Sequence, residues 1–89
     1  MITRQLTLKN RSGLHARPAS LWVEAASRYQ CRVGIRFGDS EVDGKSILGV
    51  LSLGLGAGTT FQFTVDGVDE LEAAGELETL LVNLEQQDE

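Results

Sequence analysis

Apolar residues recur along this chain with two periods, and the places where one gives way to the other mark out its elements. From Ile2 to Leu8, the positions Ile2, Leu6 and Leu8 alternate with Thr3, Gln5 and Thr7, the period of a half-buried strand broken only at Arg4. Ala19, Trp22, Val23, Ala26 and Tyr29 then follow i, i+3, i+4 spacing, a core-facing helical stripe that leaves Leu21 outside it. Alternation returns with Cys31, Val33, Ile35 and Phe37 against Arg32, Gly34 and Arg36. Gly38-Asp39 predicts a hairpin turn into a short strand over Ser40 to Val42.

After Asp43-Gly44, Ser46 reads as the N-cap of a short second helix, and Gly54 as the residue just past its end. Gly54, Gly56 and Gly58 mark a loop without the Lys-Ser/Thr ending of a phosphate-binding P-loop, so turn geometry accounts for them. Phe61, Phe63 and Val65 alternate as a further strand. Asp69 followed by Glu72 predicts a capping-box start to a last helix whose inner face is Leu71, Ala74, Leu77, Leu81 and Leu84. The order β-α-β-β-α-β-α predicts an α+β, two-layer sandwich with the helices on one sheet face. Periodicity leaves the strand order open.

The 89 residues suffice for one domain, expected over 1–89, and 42% apolar content is ordinary for a globular protein. Eight basic and 13 acidic residues give a net charge of −5, which argues against nucleic acid as a partner. The charges are segregated. Asp66, Asp69, Glu70, Glu72, Glu76, Glu78, Glu85, Asp88 and Glu89 occur with no intervening Lys or Arg, whereas every basic residue lies between Arg4 and Lys45. The lone Cys31 excludes an internal disulfide and reads as a small buried residue. No run approaches membrane-spanning length, and the N-terminus lacks a signal-peptide core. A soluble, cytoplasmic protein is expected.

The only histidine, His15, stands in Gly13-Leu14-His15-Ala16-Arg17-Pro18-Ala19, where a loop is expected to become a helix. Pro18 is tolerated only in a first helical turn, which places His15 at or beside an N-cap. A helix start offers unpaired N–H groups and partial positive charge to an anion, and Arg17 adds a guanidinium fork suited to phosphate oxygens. A neutral imidazole is itself nucleophilic, so the motif can both accept a phosphoryl group and cradle it. Elsewhere such a histidine would be a surface cap with no chemistry. A small hydrolase built on His15 finds no acid/base partner nearby in sequence, and no residues have metal-ligand spacing.

Gly13 to Ala19 resembles the active-site signature of the HPr family, the small histidine phosphocarriers of the bacterial phosphoenolpyruvate-dependent sugar phosphotransferase system. Lys45-Ser46-Ile47-Leu48-Gly49-Val50-Leu51-Ser52-Leu53-Gly54 resembles that family's second, regulatory region, and the resemblance covers essentially the whole chain. It implies an antiparallel sheet in the order 1-4-2-3, with His15 and the second helix near each other. It also implies that His15 accepts a phosphoryl group from enzyme I and passes it to enzyme IIA, with Arg17 and the amides of Ala16 and Arg17 stabilising it. The protein would be a phosphocarrier, not an enzyme by itself, without a cofactor, and monomeric by default.

For Ser46 the resemblance implies modification by an ATP-dependent HPr kinase that weakens transfer at His15, beside the simpler role of an N-cap. It implies docking through Ser20, Leu21 and Glu24 on the first helix and Ile47, Leu48, Gly49 and Leu51 on the second. Leu48 and Leu51, with Leu21, are expected to form an exposed apolar patch, while Val50 and Leu53 pack in the core. Leucines stand here where the regulated branch commonly has methionine, and Glu24 replaces a basic residue often found on that face. Two other roles fit the same residues: a regulatory paralogue of the nitrogen-related branch, and a binding module acting on a transcription regulator through the second helix.

Overall fold

The computed structural model describes residues 1–87, with side chains described as far as Leu84. The acids Glu85, Asp88 and Glu89 therefore lie outside the described side chains. The chain runs β1 (Ile2–Thr7), α1 (Arg17–Ser27), β2 (Arg32–Phe37), β3 (Ser40–Asp43), α2 (Ile47–Ser52), β4 (Thr60–Asp66) and α3 (Glu70–Gln87). The four strands form one antiparallel sheet in the order β1-β4-β2-β3, as the resemblance implied.

The register explains why each strand alternates. Arg4 pairs across to Phe63, Ile35 and Val42, and Leu6 to Phe61, so the apolar row of every strand falls on one face. Gln5, Gln62, Arg36 and Glu41 form the opposite, polar row. Arg4, the break in the β1 pattern, thus lies in the inner row at the sheet edge. Its charge is answered there by α3, with Nε donating to Glu78 Oε1 at 2.8 Å. The core places Trp22 edge-on to Phe61 and Phe63, with ring centroids 6.3 and 5.3 Å away. The buried Trp22 Nε1 donates to the Gly44 carbonyl at 3.0 Å. This bond ties α1 to the turn that precedes α2.

Ala19, Trp22 and Ala26 are buried as expected, but Val23 and Tyr29 are only half-buried and Ala25 joins the buried set. Tyr29 lies at the edge between α1 and α3, where its hydroxyl donates to Glu76. That bond, with burial and the nearby carboxylates adding to it, pushes the phenol up to about 12. Arg28 pairs with the same Glu76. Phe37, expected inward, is 39% exposed because it ends β2 opposite Ser40 at the hairpin, beyond the helical layer.

On α3 the expected face needs a correction. Ala73, Ala74, Leu77, Leu81 and Leu84 are buried, while Leu71 is 73% exposed. At 3.6 residues per turn, Leu71 points about 110° from the centre of that stripe. The capping-box expectation also changes. Glu70, not Glu72, reaches back, with Oε1 accepting from Gly67 N–H at 3.0 Å. Asp69 spends its carboxylate on the loop between α1 and β2: its two oxygens accept from the N–H groups of Gln30 and Cys31 at 2.8 and 2.9 Å. The Gln30 amide above all holds the Asp69 carboxyl below its ordinary range. Cys31 is buried, as expected.

Candidate functional site

The approach to His15 is anchored residue by residue. β1 is prolonged by Leu8, whose N–H donates to Thr59 O at 2.9 Å and whose carbonyl accepts from Gly58 at 2.7 Å. The chain then turns through Asn10-Arg11-Ser12-Gly13, closed by Gly13 N–H to Asn10 O at 3.2 Å. Gly13 sits at φ +62, and a Cβ there would stand 2.3 Å from the Leu55 carbonyl oxygen, so only glycine fits. Leu14 is fully buried and donates its N–H to Leu55 O at 2.7 Å. The loop between α2 and β4 is therefore a shelf on which the segment before His15 rests. Leu55 itself is fully buried, although the glycines around it read only as turn signals.

His15 follows, half-buried, and α1 begins two residues later. The N-cap is Ala16, so the histidine lies beside the cap, one of the two placements expected. Ala16 has φ 52 and ψ −124, the conformation glycine takes at the second position of a type II′ turn, and it provides no side-chain cap. Such backbone costs about 1–3 kcal/mol and persists only where its surroundings enforce it. The first intrahelical bond among the described residues is Ser20 N–H to Ala16 O at 3.1 Å. The N–H groups of Ala16, Arg17 and Ala19 precede it, and Pro18 has none to leave unpaired. A positive helix end thus begins at the exposed Ala16 and Arg17, directly after His15 in the chain.

Charge around this end follows from pairing elsewhere. Arg4 and Arg28 are engaged by Glu78 and Glu76 of α3, while Lys9, Arg11 and Arg17 flank the His15 loop on exposed positions. The local basicity expected near His15 is present despite the acidic total.

Ser46 caps α2: its Oγ accepts from Gly49 N–H at 3.1 Å, and Gly54 follows the helix in a left-handed conformation at φ 63, both as expected. Lys45 beside it turns inward, with Nζ donating to Tyr29 O at 2.7 Å. On the six-residue α2, Val50 is buried and Leu53, its C-cap, is partly so, whereas Ile47, Leu48 and Leu51 stand exposed, Leu48 at 78%. Leu21 is half-buried and packs on the core, so it contributes less to the apolar patch than expected. Ser20 and Glu24 are exposed on α1, Glu24 lying 3.6 Å from Arg28. Gly49 is half-buried, and a Cβ there would come within 3.3 Å of Asp43 O. Among the described residues no cluster of His, Cys, Asp or Glu could hold a metal ion.

Sequence reasoning passed over Asn10. Its side chain is buried, and Nδ2 donates to Gly13 O at 2.7 Å. The signal was available: Asn followed three residues later by Gly is turn chemistry.

The α+β fold thus places a histidine directly before an uncapped helix start, a position that suits an anion. Comparison with known proteins gives the family. The sequence model of the PTS HPr component phosphorylation site matches residues 2–83. The phosphocarrier protein HPr of Treponema pallidum is 37% identical over 93% of this chain and 94% of its own. The HPr-like protein Crh of Halalkalibacterium halodurans is also 37% identical, over 98% of this chain and its own entire length. The crystal structure of HPr-C-His from Thermoanaerobacter tengcongensis superposes with a TM-score of 0.93 at 35% identity, covering 97% of both chains. The chain belongs to the HPr family of phosphotransferase-system phosphocarriers.

Proposed function

We propose that the chain, acting as one HPr-like domain in the cytoplasm, accepts a phosphoryl group on His15 from phosphorylated enzyme I and passes it to enzyme IIA of the sugar phosphotransferase system. One observation carries this reading: the segment before His15 is pinned, and the helix start after it has no side-chain cap. A ring nitrogen lone pair of His15 attacks the phosphorus, and the bond to the donor breaks with its electron pair staying on the donor. The new P–N bond leaves the phosphoryl oxygens beside the amides of Ala16, Arg17 and Ala19 and within the reach of the Arg17 side chain. Delivery to enzyme IIA reverses these steps on a new acceptor. The partners supply the remaining machinery, so the chain is a carrier and not a catalyst in itself. No helix among the described residues is long and apolar enough to cross a membrane.

Docking is assigned to the exposed surface of α1 and α2: Ser20, Leu21 and Glu24 with Ile47, Leu48, Gly49 and Leu51. Ile47, Leu48 and Leu51 form the apolar centre, and Lys9, Arg11 and Arg17 suit an acidic partner rim. The test is intact mass after mixing the protein with phosphoenolpyruvate, magnesium and enzyme I. Gain of one acid-labile phosphoryl group, lost in His15→Ala, is expected; retention in that variant contradicts the assignment.

The similarity to the HPr-like protein Crh favours a second, compatible role in regulation. Phosphate on Ser46 would add about −1.5 to −2 charges beside the exposed Ile47, Leu48 and Leu51. That charge repels an acidic partner there, weakening transfer at His15, and could redirect α2 to a transcription regulator. Incubation with an HPr kinase and ATP should modify the wild type and not Ser46→Ala. Modification of both would remove Ser46 from the account.

A further inference from the structure

Asn10 is the one fully buried polar side chain among the described residues, 2% exposed, and the docking surface makes no use of it. Both polar groups of the Gly13 backbone are held by this residue. Its Nδ2 donates to Gly13 O at 2.7 Å, and its own carbonyl accepts from Gly13 N–H at 3.2 Å. Its Oδ1 is buried and has no hydrogen-bond partner. An apolar side chain in the same space would avoid that orphaned acceptor. What the amide adds is a single donor, aimed at the carbonyl two residues before His15.

We propose that Asn10 is a positioning residue for phosphoryl transfer, acting on His15 through the Gly13 backbone; the proposal rests on the carrier reading above. Gly13 cannot slide, because its left-handed backbone lies directly against Leu55 and Gly56. Leu14 is locked beside it by its buried side chain and its bond to Leu55 O. The Gly13 carbonyl and the Leu14 N–H belong to one planar peptide group, which Leu55 holds at its N–H and Asn10 at its oxygen; without Asn10 only the Leu55 bond resists rotation of that plane. Rotation there would carry the His15 backbone away from the amides that open α1. Transfer depends on placing the attacking nitrogen, the phosphorus and the anion donors together, so a displacement of this kind lowers the rate of the chemical step. Docking is unaffected because the α1 and α2 surfaces do not include Asn10.

The experiment measures kcat and KM for the full chain as acceptor from phosphoenolpyruvate-charged enzyme I, comparing wild type, Asn10→Ala and Asn10→Asp. All are assayed at a temperature where circular dichroism shows each folded. Asn10→Asp keeps the shape but sets a carboxylate oxygen against Gly13 O. Asn10→Ser replaces either variant that does not fold. A fall in kcat of about tenfold to a hundredfold with unchanged KM is expected. Shifted ring resonances of His15 should accompany it. Lower melting temperature with kcat unchanged makes Asn10 purely structural and overturns the proposal, as does a rise in KM alone. Failure of the wild type to take phosphate on His15 overturns the carrier reading itself, which is a distinguishable result.

Discussion

The N-termini of α1 and α2 solve the same problem in opposite ways. At α2, Ser46 adopts ordinary extended backbone and its Oγ takes the Gly49 N–H, so one orphan donor is closed locally. At α1, Ala16 occupies left-handed backbone, has no capping oxygen and is followed by Pro18 in the first turn. The α2 start thus has a side-chain cap from its own chain. The α1 start is left open and somewhat costly, held by the Asn10–Gly13 turn and the Leu14–Leu55 bond. The difference shows where the fold reserves donors for something other than itself. Backbone strain at one helix start is the counterpart of availability there.

The largest effect should come from disturbing what holds α1 open. Gly13→Ala forces a Cβ against the Leu55 carbonyl in left-handed backbone. Left-handed strain of about 1–2 kcal/mol and overpacking of about 1–3 kcal/mol should lower the melting temperature by more than ~10 °C. Unchanged melting would mean that the shelf under His15 is not rigid. Next, Ala16→Gly should relieve the strain. A gain of about 1–3 kcal/mol is offset by about 0.5–1 kcal/mol of glycine entropy, leaving a net stabilisation of about 1 kcal/mol in denaturant titration. A loss would show that Ala16 is not strained.

Ser46→Ala removes the cap bond that the unmodified serine makes to Gly49. It should cost about 1 kcal/mol and leave acceptance of phosphate at His15 intact. Loss of acceptance in the folded variant would break the contrast between the two helix starts. The smallest effect concerns acid. The Asp69 carboxyl lies lower when folded than when unfolded, so its contribution is full above the ordinary 3.8 and is lost as pH falls through the folded value. Asp69→Asn should flatten that acid limb in a melting series, and an unchanged limb would assign it to other carboxylates.

How far the sequence could be read follows the same contrast. Strands were legible because each alternates against a single buried face, and Arg4 was visible as a break although its partner Glu78 lies 74 residues away. Ser46 and Gly54 were legible because caps use local residue chemistry. Leu71 was misread because spacing alone does not say where a stripe is centred, and the buried Ala73 is too small to announce itself. Asp69 was read as a cap for its own helix, whereas its partners Gln30 and Cys31 are brought to it by the fold. For the site, His15 and Arg17 stood out in the motif. The support from Leu55 did not, because it depends on two loops meeting in space, whereas that from Asn10 is local turn chemistry that its spacing to Gly13 carries.

The most direct test is an amide nuclear magnetic resonance spectrum of the chain before and after phosphorylation by enzyme I. The account predicts large shifts at Ala16, Arg17 and Ala19, with Gly49 at the closed α2 start nearly unmoved. Equal shifts at both helix starts, or none at the α1 amides in a chain phosphorylated on His15, would contradict it.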